Sequence, residues 1–194
     1  MRAWKCLALA AAALAAGGLF AREEKTELKK GDKAPSFQAT DDQGKVWKSS
    51  DHVGKKVVVV YFYPADFTGG CTKQACTFRD DMDKLKDKGI EVVGVSGDSA
   101  RTHALFKKHH KLNYTLLADE KGEIARKFGV PVNKGGKAKG FDENGKEITV
   151  ERGVTIPRWT FVIGKDGTII YKNEKVNPTQ DSKQVLEAVE KAGK

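Results

Sequence analysis

The run Val57-Val58-Val59-Val60-Tyr61-Phe62-Tyr63 is the strongest structural signal in this chain of 194 residues. Seven consecutive β-branched and aromatic residues are typical of a central strand that is covered on both faces. Pro64 ends the run, and from Cys71 to Lys86 apolar side chains recur three and four residues apart, which predicts a helix. A second buried strand is predicted over residues 90–96. This alternation indicates an α/β domain.

The alternation continues to the end of the chain. Strands of this kind are joined by crossover helices, which cover both faces of the sheet. Ligand chemistry in such sheets gathers at the carboxyl ends of the strands, and the segment 64–71 lies at one such end. The remaining predicted elements are a helix capped by Asp98 or Ser99 and running to about His110, a strand over 114–117, a helix over 124–128, a hairpin of 159–163 with 168–171, and a last helix from about Pro178.

The first 21 residues are predicted to be a signal peptide. Arg2 and Lys5 form a positive start, and an Ala- and Leu-rich run from Leu7 to Ala16 follows them. The apolar run is shorter than the roughly 20 residues that a membrane-spanning helix needs. We expect cleavage after Ala21, with an uncleaved N-terminal anchor as the alternative. The mature protein is therefore expected to be exported, either to a periplasm or into the medium.

One domain is predicted from residue 31 to residue 194, after a loose, charged extension over residues 22–30. The formal net charge of the whole chain is +9, and the signal peptide contributes two of those charges. Because the lysines are spread along the chain, a solvated basic surface is favoured over a nucleic-acid site. Residues 133–140 are basic and glycine-rich, and we expect them to form a flexible loop.

Cys71 stands where the first helix is expected to begin, directly after Gly69 and Gly70. A helix N-terminus presents unpaired N–H groups and the positive end of the helix dipole, and both favour the thiolate, which is the nucleophilic form of cysteine. The helical spacing also puts Cys71 on the apolar face. Burial opposes a negative charge, so a nearby cation is needed. The two glycines would let the backbone approach a small ligand closely.

Cys76 follows five residues later. In a regular helix this separation gives a Cα–Cα distance of roughly 8.6 Å, whereas disulfides span about 4.4–6.8 Å. The two thiols therefore cannot bond while the helix is intact. The pair is either reduced with the helix folded or oxidised with its first turns unwound, which favours a working thiol pair over a single structural disulfide.

The segment from Tyr61 to Cys76, Tyr-Phe-Tyr-Pro-Ala-Asp-Phe-Thr-Gly-Gly-Cys-Thr-Lys-Gln-Ala-Cys, resembles the active-site stretch of peroxiredoxins. It is most similar to the PrxQ group, which is also called bacterioferritin comigratory protein. The family pattern is Pro, three residues, Thr, two residues and the peroxidatic Cys, and Pro64, Thr68 and Cys71 match it. Cys76 matches the resolving cysteine that this group carries five residues further on.

The resemblance covers roughly residues 28–192 and implies a thioredoxin-like fold, with a central mixed sheet flanked by helices. Arg158, just before the predicted strand over 159–163, matches the family's active-site arginine. Two departures stand out. The family commonly has Pro where this chain has Gly69, which loosens the loop, and the segment 131–157 is longer and more polar than expected.

The resemblance implies a thiol peroxidase of the atypical two-cysteine type, which reduces hydrogen peroxide and organic hydroperoxides. Cys71 would attack the peroxide and become a sulfenic acid, and Cys76 would resolve it as an intramolecular disulfide. A thioredoxin-like reductant would then restore both thiols. The implied catalytic residues are Cys71, Cys76, Thr68, Arg158 and Pro64, and the implied substrate-binding residues are Thr68, Gly70, Cys71 and Arg158.

Taken singly, Thr68, Arg158 and Pro64 have ordinary structural roles as a helix cap, an ion-pair partner and a strand terminator. Their joint spacing with the cysteines favours the functional roles, in which Pro64 shields the thiolate from water. The main alternative is an exported thioredoxin-like thiol–disulfide oxidoreductase, although such enzymes usually carry Cys-x-x-Cys. A non-catalytic domain of the same fold is a third possibility. We expect no cofactor, no metal, no nucleic acid, no stable membrane association after cleavage, and a monomer.

Overall fold

The computed structural model describes residues 27–193. The predicted signal peptide, and residues 22–26 of the predicted extension, lie outside these residues. Within them, Leu28 packs against the core, and the Lys29 N–H donates to Asp32 Oδ2 at 2.9 Å. Leu28 therefore already belongs to the packed unit.

The described residues form two sheets. Their strands are β1 (Gln38–Asp41), β2 (Val46–Lys48), β3 (Val57–Phe62), β4 (Ile90–Ser96), β5 (Thr115–Ala118), β6 (Asn133–Phe141), β7 (Glu147–Thr155), β8 (Trp159–Ile163) and β9 (Ile169–Asn173). Seven strands make the main sheet in the order β2-β1-β5-β4-β3-β8-β9, and β6 pairs with β7 in a separate two-stranded sheet. The main sheet is mixed, since β3, β4 and β5 run parallel while β1, β8 and β9 pair antiparallel to their neighbours.

Helices cover both faces of the main sheet, as predicted. They are α1 (Gly69–Asp80), α2 (Met82–Asp87), α3 (Ala100–His110), α4 (Glu123–Lys127) and α5 (Asp181–Ala192), with a 3₁₀ turn over Ser49–Asp51. Ser99 is the predicted cap of α3, and its Oγ accepts the Thr102 N–H at 3.2 Å. None of these described helices is long and apolar enough to cross a membrane.

Strand β3 is buried along its whole length and separates two apolar cores. Val57, Val59 and Tyr61 face the core beneath α1, α2, α3 and α5, while Val58 and Val60 face the core that includes α4. Each fully buried aliphatic side chain contributes about 1.5–3 kcal/mol. The residues that follow Pro64 therefore begin at the end of a strand that is packed on both faces.

The predicted helix from Cys71 to Lys86 is divided into α1 and α2 at Asp81. Asp81 leaves the helical conformation (φ −93°, ψ 6°), and its carboxylate accepts hydrogen bonds from Lys84 Nζ and Ser182 Oγ, both at 2.8 Å. Apolar spacing could not reveal this break, because Met82 and Leu85 still fall on the buried side of α2.

The predicted flexible loop over residues 133–140 is wrong, since these residues form β6 and pair with β7. Glycines within β6 and at the end of β4 instead allow close backbone approach. A Cβ on Gly135 would lie 2.1 Å from the Arg152 carbonyl oxygen, and a Cβ on Gly97 would lie 2.1 Å from the Val154 carbonyl oxygen. The Gly153 N–H donates to the Gly97 carbonyl at 2.9 Å, which ties this hairpin to the end of β4.

Candidate active site

Cys71 lies in the first turn of α1, just beyond the carboxyl end of β3. Its side chain is buried, with 2% of its surface exposed, and it packs in the core beneath Tyr61 and Tyr63. Thr68 is the N-cap residue of α1, and its carbonyl accepts the Thr72 N–H at 2.8 Å. The predicted position of Cys71 at a helix start and on the buried face is confirmed.

Arg158 supplies the cation that this buried sulfur needs. Trp159, the first residue of β8, pairs with Phe62, the last residue of β3, so the preceding residue lies beside the segment that leads to Cys71. Arg158 Nη2 donates to Cys71 Sγ at 3.3 Å. A guanidinium stays protonated at any relevant pH, so it stabilises a negative charge on the sulfur.

The two glycines before Cys71 differ in their surroundings. A Cβ on Gly70 would lie 3.2 Å from Arg158 Nη2 and 3.9 Å from Pro178 Cγ, whereas a Cβ on Gly69 would meet no described atom within 4 Å. Because Gly70 has no side chain, the Arg158 guanidinium fits beside it. A methyl side chain at position 69 would meet no described atom within 4 Å.

Pro64 and Thr68 lie in the loop between β3 and α1. The Thr68 hydroxyl donates to the Ala65 carbonyl at 3.0 Å, so its proton is engaged and its oxygen is left as an acceptor. In this arrangement the Thr68 hydroxyl can accept a hydrogen bond from a ligand but has no free proton to donate. Pro64 is half-buried directly after β3.

Gln74 and Asp181 extend the site and were not predicted. Arg158 Nη1 donates to Gln74 Oε1, and Gln74 Nε2 donates to Asp181 Oδ2 at 2.7 Å. Thr160 Oγ1 donates to the same carboxylate oxygen at 2.8 Å. The position of Gln74, three residues after Cys71 on one helix, was a usable signal. Asp181 lies 107 residues from Gln74, and no local pattern connects them.

Cys76 is half-buried further along α1, and both cysteines are free thiols within an intact helix. Between them, the Ala75 carbonyl accepts a hydrogen bond from the Tyr114 hydroxyl at 3.1 Å. The hydroxyls of Tyr61 and Tyr114 are 2.8 Å apart, and since Tyr114 uses its proton on Ala75, Tyr61 is the donor. Burial raises the pKa of both phenols well above the ordinary value, so both remain protonated.

A buried polar network supports the loop before Cys71. Asp66 accepts from the Tyr63 hydroxyl at 2.7 Å, lies 2.8 Å from His103 Nδ1, and donates its N–H to Asp98 Oδ2 at 3.0 Å. Burial opposes a charged His103, but Asp66, Asp98 and the Leu117 carbonyl favour it, and together they raise the pKa of this imidazole. Burial also raises the pKa of the Asp98 carboxyl to about 6. The network attaches the loop to α3 and to the end of β4.

Phe67, in the same loop, adopts the left-handed conformation with φ of 59°. Such a backbone costs a side-chain-bearing residue about 1–3 kcal/mol and persists only where its surroundings hold it. The Phe67 ring contacts Phe106 and His110 of α3 and Phe141 at the end of β6, with centroid distances of 5.1, 6.1 and 6.0 Å. The unexpectedly long segment 131–157 thus reaches the loop that precedes Cys71.

A buried cysteine at a helix start, held against an arginine from the neighbouring strand, is what the quoted motif leads us to expect. The model of the AhpC/TSA family matches residues 30–172. The chain belongs to the AhpC/TSA family. This membership, together with the mixed sheet and flanking helices, confirms the predicted thioredoxin-like fold.

Individual relatives place the chain beside the PrxQ group of this family. The chloroplastic peroxiredoxin Q of Oryza sativa subsp. japonica is 42% identical over 150 residues, which are 76% of this chain and 61% of that protein. Among solved structures, peroxidoxin BcpB from Mycobacterium tuberculosis is 30% identical with a TM-score of 0.70, over 85% of this chain and 98% of that one. The bacterioferritin comigratory protein of Xanthomonas campestris, studied for alkyl peroxide reduction, is 25% identical with a TM-score of 0.66, over 81% of this chain and 92% of that one. The predicted resemblance to PrxQ proteins is confirmed.

The predicted export is wrong. The plant relatives that this AhpC/TSA chain matches are named chloroplastic, which is a compartment inside the cell and neither a periplasm nor the medium. A positive start and a short apolar run identify a targeting segment better than they identify its destination. The prediction of export assigned one common destination, secretion, to a sequence pattern that does not specify the destination.

Proposed function

We propose that this chain is a thiol-dependent peroxidase that reduces hydrogen peroxide and organic hydroperoxides through Cys71. The observation that carries the proposal is the hydrogen bond from Arg158 Nη2 to the buried Cys71 Sγ at 3.3 Å. Membership of the AhpC/TSA family supports the proposal. The chain spans 61% of the length of the two rice relatives that it matches. The alkyl peroxide activity in the description of the Xanthomonas structure supports the inclusion of organic hydroperoxides.

In the first step, Cys71 thiolate attacks the terminal peroxide oxygen. An S–O bond forms, the O–O bond breaks, and the leaving oxygen departs as water or an alcohol after it takes a proton. Arg158 donates to the charge that develops in this step, backbone N–H groups around Gly70 and Cys71 add to it, and Thr68 accepts from the peroxide O–H. Pro64 shields the thiolate from water.

In the second step, Cys76 sulfur attacks the Cys71 sulfenic acid, an S–S bond forms, and the S–O bond breaks to release water. Because both residues belong to an intact α1, the first turns of this helix unwind before the bond forms. A thioredoxin-like dithiol protein then reduces the disulfide by exchange. We propose a monomer, because the cycle takes both of its cysteines from one chain and needs no residue of a second copy.

The test is site-resolved mass spectrometry of the parent, Cys71→Ser and Cys76→Ser proteins, each treated with one equivalent of peroxide. The parent should form a Cys71–Cys76 disulfide and lose helical circular dichroism. Cys71→Ser should leave peroxide unconsumed, and Cys76→Ser should hold a sulfenic acid on Cys71. Peroxide consumption at the parental rate by Cys71→Ser, or turnover with a dithiol by Cys76→Ser at the parental rate, would contradict the proposal.

A further inference from the structure

Asp181 is an ionisable group in a position where packing alone does not explain a carboxyl. Its side chain is fully buried at the start of α5, and burial raises the pKa of the carboxyl. One oxygen, Oδ2, accepts from both Gln74 and Thr160. The other, Oδ1, is buried and meets no donor among residues 27–193. A carboxylate left half-satisfied in this way is costly, so a residue kept only for packing would be better neutral.

The bonds of Asp181 fix the orientation of the Gln74 side chain. A carboxylate oxygen accepts hydrogen bonds, so the amide nitrogen of Gln74 must face Asp181. The amide oxygen then faces Arg158, whose guanidinium only donates. An amide turned the other way would point its N–H groups at the guanidinium and its oxygen at the carboxylate, which is unfavourable on both sides. The charge on Asp181 thereby selects one of two amide orientations.

The same carboxylate also holds β8, the strand that directly follows the arginine. Thr160 lies two residues after Arg158 in β8, and its hydroxyl donates to Asp181 Oδ2 at 2.8 Å. Gln74 approaches the guanidinium from α1, which carries the reactive sulfur. Asp181 therefore joins the two elements whose relative position sets the 3.3 Å distance from Arg158 Nη2 to Cys71 Sγ.

We propose that Asp181 is a positioning residue which, through Gln74 and Thr160, holds the Arg158 guanidinium against the Cys71 sulfur. Asp181 touches neither the peroxide nor the sulfur, so it acts through the groups that do. The role in peroxide reduction rests on the proposed function, but the positioning of a positive charge at Cys71 can be measured without it.

The test compares the alkylation of Cys71 by iodoacetate, an anion, with its alkylation by neutral iodoacetamide in the full-length protein, followed by mass spectrometry of the Cys71 peptide. A guanidinium held at the sulfur favours the anionic reagent. Asp181→Ala should lower the iodoacetate-to-iodoacetamide rate ratio about fivefold, which is the effect of about one unit charge at 4 Å in a water-like medium. The peroxide oxidation rate of Cys71 should fall about tenfold, a fraction of the effect of losing one donor outright.

Asp119→Ala is the matched control. Asp119 is also a buried carboxylate, and burial also raises its pKa, but its two oxygens accept the Ile124 and Ala125 N–H groups at the start of α4. This variant should lose stability and keep the parental alkylation ratio. A fall in the ratio as large as that of Asp181→Ala would show a general loss of structure and overturn the inference.

Two further variants guard against misfolding of Asp181→Ala. Asp181→Asn preserves the shape and should lower the ratio by a smaller factor, because a neutral oxygen holds the Gln74 amide less firmly. Adding Gln74→Glu to Asp181→Asn lets the new amide donate to a carboxylate that still accepts from Arg158, and should restore the ratio. A parental ratio in both Asp181→Ala and Asp181→Asn would overturn the inference. A parent without peroxidase activity but with the expected ratios would overturn the proposed function alone.

Discussion

Arg158 and Cys71 are 87 residues apart in the chain, yet Nη2 of the arginine donates to Sγ of the cysteine at 3.3 Å. The pairing of Trp159 with Phe62 brings them together, so the contact is a consequence of the order of strands in the sheet. The other terminal nitrogen of the Arg158 guanidinium, Nη1, donates to Gln74 Oε1. This two-point attachment is a property that an arginine has and a lysine lacks.

Arg158→Lys should therefore lower the rate of Cys71 oxidation by peroxide about a hundredfold, because an ammonium cannot reach Gln74 and Cys71 together in a fixed geometry. Stopped-flow fluorescence of the single oxidation step measures this rate. Arg126→Lys is the control, since Arg126 is exposed and donates to the Lys121 carbonyl. Equal rates in the two variants would mean that the planar guanidinium is not needed.

The adjacent glycines should respond differently to the same change. Gly70→Ala places a Cβ 3.2 Å from Arg158 Nη2, so the guanidinium has to shift and the oxidation rate should fall roughly threefold to tenfold. Gly69→Ala meets no described atom, and should keep the rate while raising the free energy of unfolding by about 0.5–1 kcal/mol. Oxidation kinetics and urea unfolding of both variants check this, and a larger rate loss in Gly69→Ala would be inconsistent with the contacts.

Tyr114→Phe should accelerate disulfide formation without changing the attack on peroxide. The substitution removes the hydrogen bond to the Ala75 carbonyl, which lies between the two cysteines, and this loss costs α1 about 1 kcal/mol. Unwinding of α1 should then be about fivefold more frequent. Quenching a reaction with peroxide at successive times separates the sulfenic acid from the disulfide. Tyr171→Phe, a half-buried tyrosine of β9, should leave both steps unchanged.

The unfolding free energy should fall as pH rises from 4 to 6. Burial raises the pKa of Asp98 from its ordinary 3.8 to about 6, so the folded state binds this proton more tightly than the unfolded state does. The stabilisation is present below the unfolded pKa and is lost as pH passes through the folded one. Asp66 raises the pKa of His103 against the effect of burial, which extends the same trend above pH 6.5.

Asp98→Asn should flatten this dependence while it keeps an acceptor for the Asp66 N–H and the Ser96 hydroxyl. Urea unfolding at pH 4, 5, 6 and 7 provides the comparison. Asp142→Asn, in the turn between β6 and β7, should follow the parental curve. A slope in Asp98→Asn as steep as in the parent would assign the pH dependence to other groups.

The sequence predicted the parts of the site that depend on local pattern or on a family resemblance. The positions of Cys71 and Cys76 follow from the helical period, whereas Arg158 was predicted only from the resemblance to the peroxiredoxin family, whose active-site arginine precedes the matching strand. Asp181 could not be predicted, because its connection to Gln74 depends on how α5 packs against α1 across 107 residues. The buried roles of Asp66 and His103 were not predicted for the same reason, because the sequence does not show whether a single charged residue is buried.

The strands also differ in whether the sequence predicted them. Strands β3 and β4 are continuous apolar runs, and both lie where they were predicted. The pair of β1 with β2 is short, with alternating exposure, and gave no comparable signal. Strand β6 was mistaken for a loop because lysines and glycines are typical of loops, and this composition does not show that the segment pairs with β7 across the turn that follows.

The division of the first helix at Asp81 bears on the speed of the proposed cycle. Unwinding that begins near Cys71 ends where α1 ends, so at most the 12 residues of α1 change shape while Met82 and Leu85 of α2 keep their places in the core. A segment of this length re-forms its helical turns in about a microsecond or less. Typical enzymes turn over about 1–1,000 times per second. The helical turns themselves therefore re-form fast enough, and any limit that α1 sets on turnover comes from how rarely its buried face, Cys71, Ala75 and Phe78, leaves the core.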